Sequence, residues 1–439
     1  MRPNILYIFT DQQSADAMSA AGNPHLHTPA MDRIAAAGVR FDRAYTAFPL
    51  CIPARMAMFT GRMPHELGVN VNCRQSETPP PAAMLGRLMG DAGYACHYVG
   101  KWHLTVPEAA CEVHGFAEIV PAGTKGGGLD RSKADAAVAF LSQRHDRPFF
   151  LVVSFLNPHD CCELARGQEL RMGPLPPEPS DGELPPLPPN YGIPEAEPDV
   201  YRRFQQENPR IGRAADWDER QTRRYRWGYN RLVEMVDGDI GRILEAVESR
   251  GLAKDTVVIF SSDHGDGQGA HRWNQKWVFY EESVRVPFIV AGAGIAGSGC
   301  VDGRLVSASL DLVPTICDYA GIAAPEGCHG MSVRPLVEGR EVASWRKWVA
   351  AETTFGIKGL VGEDQWPKGR MVRSERYKYV VVDEGSPREQ LIDLERDPGE
   401  MANLATSSQH RAVLEEHRGF LREWCKRTND STHPFDASD

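Results

Sequence analysis

Four short apolar runs in this 439-residue sequence end on side chains able to handle protons, charge or a cation. Asp11 and Gln12 follow the run at 5–9, and Lys101 and His103 follow the run at 94–99. His159 follows the run at 149–155, and Asp263 and His264 follow the run at 256–260. One Asp or His after a strand is ordinarily a helix cap. Four such sites together are different, because ligands in open α/β sheets gather at the carboxyl ends of the strands. Their convergence predicts an active site. Asp11, Gln12, Asp263 and His264 bring two carboxylates, an amide oxygen and an imidazole. That set suits a hard divalent cation such as calcium, magnesium or manganese, and the imidazole shifts some weight to manganese. The plain alternative is a capping aspartate and a core histidine.

The segment Leu50-Cys51-Ile52-Pro53-Ala54-Arg55-Met56-Ala57-Met58-Phe59-Thr60-Gly61 carries further chemistry. Pro53 sits where a first-turn proline begins a helix and Gly61 where one ends. Cys51 is thereby placed at a helix N-terminus, where free N–H groups and the helix dipole favour negative charge. Read as a residue alone, Cys51 is either a buried inert thiol or a nucleophile.

Cys51-x-Pro53-x-Arg55 followed by Thr60-Gly61 resembles the signature of the type I, formylglycine-dependent sulfatases of the alkaline phosphatase superfamily. The resemblance covers nearly the whole chain. It includes Gly100-Lys101-Trp102-His103, Asn157-Pro158-His159, Ser262-Asp263-His264-Gly265 and Lys276. It continues in Gln390-Leu391-Ile392-Asp393-Leu394, Asp397-Pro398 and Asn403-Leu404, similar to that family's small C-terminal domain.

The resemblance implies that a separate formylglycine-generating enzyme oxidises Cys51 to an aldehyde, which hydrates to a geminal diol. It implies that Arg55 holds that group, and that Asp11, Gln12, Asp263 and His264 bind the cation, with Ca2+ first and Mn2+ or Mg2+ as alternatives. Lys101 and His103 would contact the diol and sulfate, and His159 and Lys276 the sulfate and leaving oxygen. His271, five residues before Lys276, is assigned to substrate binding, against the alternative of an ordinary loop histidine. Attack on sulfur needs a nucleophilic oxygen, neutralised sulfate charge and a protonated leaving alcohol. The metal supplies Lewis acidity, Lys101, Lys276 and Arg55 supply positive charge, and His159 is the expected acid. His103 is the expected base that restores the aldehyde. The expected reaction is hydrolysis of a sulfate ester on a carbohydrate.

Gln12 stands where many sulfatases carry a second aspartate, which leaves the cation site one charge less negative. Relatives with an Asp-Gln pair include phosphonate monoester and phosphodiester hydrolases with the same nucleophile, so these are the main rival. A non-catalytic binding protein on the same fold fits poorly, because every expected catalytic position carries a competent residue.

These side chains need a scaffold. Apolar runs rich in Val, Ile and Phe, including one at 286–290, predict a mostly parallel sheet covered by helices on both faces. The expected fold class is α/β with a small C-terminal antiparallel sheet plus helix, and the resemblance implies that it is alkaline-phosphatase-like. The clearest helix is predicted over 217–249, with Leu232, Val236, Ile240, Ile243 and Val247 forming its apolar stripe. The proline-dense stretch at 173–198 reads as a surface excursion bordering a pocket, with the Arg-rich run at 220–231 as a second candidate border. Short strands are expected at 348–351, 369–373 and 377–382, and a last helix at about 408–427. Residues 1–345 are read as the catalytic domain and 346–439 as a small α+β subdomain.

The composition, 42% hydrophobic and 25% charged, is that of a globular protein. The net charge of −10 argues against a nucleic-acid footprint, and no apolar run approaches a membrane span. The sequence reads as cytoplasmic, or as periplasmic or secreted if a leader has been removed. Ten scattered cysteines suggest thiols in place of a disulfide framework. A homo-oligomer stays open.

Overall fold

Strand β1 (Asn4–Asp11) is apolar from Ile5 to Phe9 because both its faces are covered. Ile5, Tyr7 and Phe9 pack into one core and Leu6 and Ile8 into the other. The computed structural model describes residues 2–72, 80, 82–121, 129–209, 212–356 and 365–431. Within them lie β2 (Gly38–Tyr45), β3 (Ala95–Gly100), β4 (Glu118–Pro121), β5 (Phe149–Pro158), β6 (Thr256–Ser262), β7 (Phe288–Gly292) and β8 (Cys300–Ser307). They form one eight-stranded sheet with the order β4-β3-β5-β1-β6-β7-β2-β8. β1 pairs in parallel with β5, Ile5 opposite Phe150, and with β6, Asn4 opposite Thr256. β7 runs against both its neighbours, while the other pairings are parallel. The carboxyl ends of β1, β3, β5 and β6 therefore lie along one edge.

Helices Pro29–Ala36, Leu129–Leu141 and Glu219–Ser249 cover one face of the sheet. Cys51–Thr60, Leu85–Asp91 and Leu312–Ala320 cover the other. The long helix Glu219–Ser249 starts where Asp218 and Gln221 form a capping box, the Asp218 carboxylate accepting from the Gln221 N–H. Such a box satisfies two N–H groups that the first turn leaves without partners. The expected stripe from Leu232 to Val247 is buried against the sheet.

No helix or strand forms between residues 173 and 198, as the prolines dictate. Arginines of the long helix hold this excursion in place. Arg220 pairs with Asp181 (2.9 Å) and Glu178 (3.1 Å), and Arg223 donates to the carbonyls of Asp181, Leu184 and Pro185. The Arg-rich run thus acts as a clasp at Arg220 and Arg223.

A second sheet is antiparallel, in the order β12-β11-β10-β9, from β9 (Trp348–Thr354), β10 (Lys368–Ser374), β11 (Tyr377–Val382) and β12 (Glu389–Asp393). Helix Arg411–Thr428 packs on it. The two sheets are joined by His65, whose N–H and Nδ1 meet Glu352 at 2.8 and 2.7 Å, and whose Nε2 meets the Thr428 carbonyl at 3.2 Å. Among the described residues no helix is long and apolar enough to cross a membrane. The cysteines among them are all free thiols.

Candidate active site

Cys51 is the first residue of its helix, and Gly61 ends that helix at φ 70°, its N–H on the Ala57 carbonyl. Only glycine takes this left-handed turn at no steric cost, so the helix stops as the sequence indicates. The Cys51 thiol is 1% exposed. Its sulfur lies 3.2 Å from His264 Nε2, 3.1 Å from Lys276 Nζ and 3.8 Å from Asp11 Oδ1. Burial pushes the thiol up, but the charges of Lys101, Lys276 and His264, with a hydrogen bond from His103, hold it well below the usual range. The position stabilises negative charge, as a helix N-terminus ringed by cations should.

Arg55 lies one turn on, fully buried. Its Nε donates to Asp263 Oδ2 (2.9 Å) and Nη2 to Asp11 Oδ2 (2.9 Å). Nη1 donates to the Lys101 carbonyl (2.8 Å) and Ser154 Oγ (2.9 Å). One planar guanidinium ties four segments together, which a lysine's single point charge would not do. Lys101 also reaches Asp11 Oδ2. Burial and Cys51 push the Asp11 carboxyl up, yet the cationic Lys101 and Arg55 hold it well below the carboxylate range. Asp263 sits above that range, raised by burial and by the charge of Asp11.

Asp11, Cys51, Asp263 and His264 place one ligand atom each within 4.8 Å of one another, all buried. His264 Nδ1 meets the Gly265 carbonyl at 3.0 Å. That carbonyl can only accept, so Nδ1 carries a proton and Nε2 is the nitrogen turned to the cluster. Two carboxylates and an oriented imidazole fit a divalent cation. Gln12 stands beside this group at φ 74°. Its Nε2 donates to Asp266 Oδ2 (2.7 Å), which fixes the amide so that Oε1 faces the site and accepts from Lys276 Nζ (2.8 Å).

Asp266 was not singled out from the sequence. It is fully buried and also accepts from the Gln275 N–H (3.0 Å) and the Tyr225 hydroxyl (3.0 Å). A carboxylate behind residue 12 explains locally why an amide stands there, since a second carboxylate would face Asp266 without a donor between them. The signal lay in plain view, three residues after Asp263.

His103 has a positive φ of 49° and a buried Nδ1 without a partner among the described residues. Burial pulls its pKa down, against the hydrogen bond to Cys51. For His159, burial resists a charge while Cys162 and Asp11 favour one, with the balance at about 9. Arg171 acts the other way. Its Nη2 donates to His159 Nδ1 at 3.0 Å, which a doubly protonated ring has no lone pair to accept. The hydrogen bond decides for a ring with its proton on Nε2.

His271 is not brought to this cluster. Its ring is fully buried, stacked on Tyr280 at 3.7 Å, and its Nε2 meets Asn190 Nδ2 at 3.1 Å. Burial, Lys378 and Arg202 push it down to about 3. These surroundings make it a neutral support for the loop that carries Lys276, which corrects the expectation of a substrate contact. Lys276 itself, 6.0 Å over the Trp277 ring, uses its ammonium on Gln12 and Cys51.

Residues 3–322 match the model of the sulfatase family, and residues 269–426 match the N-sulphoglucosamine sulphohydrolase C-terminal model. The chain belongs to the sulfatase family. It is 32% identical to the Delta 4,5-hexuronate-2-O-sulfatase of Bacteroides thetaiotaomicron, over 98% of this chain and 90% of that protein. It is 30% identical to the choline-sulfatase of Rhizobium meliloti, over 92% of this sulfatase and 82% of the relative. A solved structure described as a 2-O GAG sulfatase superposes with a TM-score of 0.86 at 32% identity, covering 98% and 93% of the two chains. The phosphonate monoester hydrolase of Agrobacterium radiobacter superposes at 0.77 with 24% identity, over 97% and 96%, a likeness of fold. This sulfatase is an enzyme that hydrolyses sulfate esters.

Proposed function

We propose that this sulfatase removes a sulfate ester from a carbohydrate hydroxyl, with Cys51 converted to formylglycine and one divalent cation, Ca2+ first, at the site. The convergence of Lys101, Lys276, His103 and His264 on Cys51 at a helix N-terminus carries the reading. The family's carbohydrate-directed members, among them the hexuronate-2-O-sulfatase, support the substrate class.

Asp11, Gln12, Asp263 and His264 would hold the cation, which supplies Lewis acidity toward the sulfate oxygens when bound. Formylglycine at position 51, made by a separate maturation enzyme, supplies a hydrated aldehyde as the oxygen nucleophile. The rest falls to this chain's own groups. Lys101 and Lys276 neutralise sulfate charge from two sides, in a site closed enough that each charge acts at low effective dielectric. Arg55 keeps Asp11 and Asp263 in register. His159 presents the Nε2 proton to the leaving alcohol, held there by Arg171 on Nδ1. His103, whose pKa is lowered by burial, is free to take a proton from position 51.

Two measurements test this. Peptide mass spectrometry should find an aldehyde at position 51, and a fully active protein with an unmodified thiol would overturn the mechanism. A panel of sulfated sugars, with an aryl sulfate and an aryl phosphonate ester beside them, should show sulfate release. Faster turnover of the phosphonate than of every sulfate would replace the substrate reading.

A further inference from the structure

Beyond β8, the start of β9 and the last helix frame a cleft of about 490 Å3. It adjoins a hollow of about 700 Å3, and Trp345, Arg346, Lys347 and Phe420 line both. None of the residues gathered around Cys51 lines either space.

The walls combine aromatic faces with cations. Trp348 stacks on Phe420 at 5.8 Å and meets Trp424 edge-on at 5.9 Å. The Arg427 guanidinium lies 4.6 Å over Trp424 and 5.6 Å over Trp348, and Arg346 lies 5.3 Å over Trp345. Arg346 is balanced by Asp311 at 2.6 Å. Among the described residues neither Lys347 nor Arg427 has a carboxylate within ion-pair distance. Burial and the charge of Arg346 both lower the Arg427 pKa, against Glu423. In a chain of net charge −10 this local excess of positive charge runs against the whole. Trp424, 3% exposed, also carries an indole N–H with no partner among the described residues. Buried donors are nearly always satisfied, so this one marks a place for an acceptor.

We propose that the cleft is a second binding site for a sulfated oligosaccharide. Flat apolar sugar faces fit the tryptophan and phenylalanine rings, while sulfate or carboxylate substituents fit Arg427, Lys347 and the Trp424 N–H. The inference rests on the carbohydrate reading of the substrate and adds a hold on the polymer away from Cys51. Such a hold raises the effective concentration of the chain end at the catalytic site.

The test uses the full-length protein, a heparin-derived octasaccharide and its desulfated counterpart, followed by calorimetry. R427E combined with K347E reverses two exposed charges and keeps the tryptophans themselves in place, though Arg427 no longer covers their faces. Hydrolysis of a small aryl sulfate should stay within about twofold of the parent, while octasaccharide binding weakens about tenfold or more. The parent's affinity should fall with added salt, and the desulfated sugar should not bind. Unchanged binding in the double variant, equal binding of the desulfated sugar, or self-association through the cleft that the variant abolishes would each overturn the proposal. Loss of binding in a protein that desulfates no sugar would instead sink the functional reading and leave this site standing.

Discussion

Replacing Arg55 with methionine removes the cation between Asp11 and Asp263 while keeping a side chain of similar length. All four hydrogen bonds of the guanidinium are internal, at 2.8 to 2.9 Å, and both carboxylates are fully buried. Removing one partner of a buried pair costs about 3–5 kcal/mol, because the remaining charge is left without compensation. An unfolding entropy of about 2.1 cal/mol/K per residue gives about 0.9 kcal/mol/K for a chain of 439 residues. The expected fall in Tm is therefore about 3–5 °C. A divalent cation would compensate the same two carboxylates, so the fall should be smaller with calcium present than with a chelator. Scanning fluorimetry of parent and variant in both conditions reads this out, with aryl sulfate turnover dropping about 10²-fold or more. Equal Tm in parent and variant would refute the account of Arg55, and a fall independent of the cation would refute the shared role. Arg55→Lys should not restore turnover, since one ammonium cannot reach four acceptors.

Lys276→Met should leave folding intact and lower kcat by roughly 10²–10³-fold, the cost of losing one preorganised charge; a change below about twofold would remove Lys276 from the machinery. His65 is raised from the ordinary 6.5 to about 9 by Glu352, against burial. A raised folded-state pKa contributes stability that is present in full below about pH 6.5 and is lost as the pH passes 9. The shift corresponds to roughly 3 kcal/mol. Thermal stability should decline across that window in the parent and stay flatter in His65→Gln. Asp218→Ala should cost about 1 kcal/mol by removing the cap of the long helix, and denaturant melts that coincide with the parent would show the capping box is dispensable.

The central strands were legible because double burial makes them continuously apolar, as at β1, β5 and β6. β2 was not read. Arg40, Asp42 and Arg43 interrupt its apolar residues, and they are tolerated because one side of it is only partly covered. β12 escaped for a similar reason, since its buried residues include Gln390 and Asp393, the latter paired with Arg376. The start of the long helix and the end of the cysteine helix were readable from local rules, as their caps depend on neighbours in sequence. The family resemblance supplied the other half of the site, since Arg55, Lys101 and Lys276 meet through contacts that no spacing encodes. His271 shows the limit. Nothing in a loop histidine's sequence context says whether it faces a substrate or a stacked tyrosine. Asp266 and Arg171 act through Gln12 and His159, so only the folded geometry gives them roles.

Consider β1 in time. It leaves the ribosome well before its partners, since one neighbour in the sheet begins at Phe149 and the other at Thr256. At synthesis rates of about 5–20 residues per second, roughly 12–50 s pass before its second edge is covered. Throughout that interval an apolar strand is open to wrong pairing, and the future centre of the molecule waits on a strand made about 250 residues later. The same delay keeps Cys51 at the surface of an unfinished chain. Once Lys276 closes over it, the sulfur is sealed at 1% exposure.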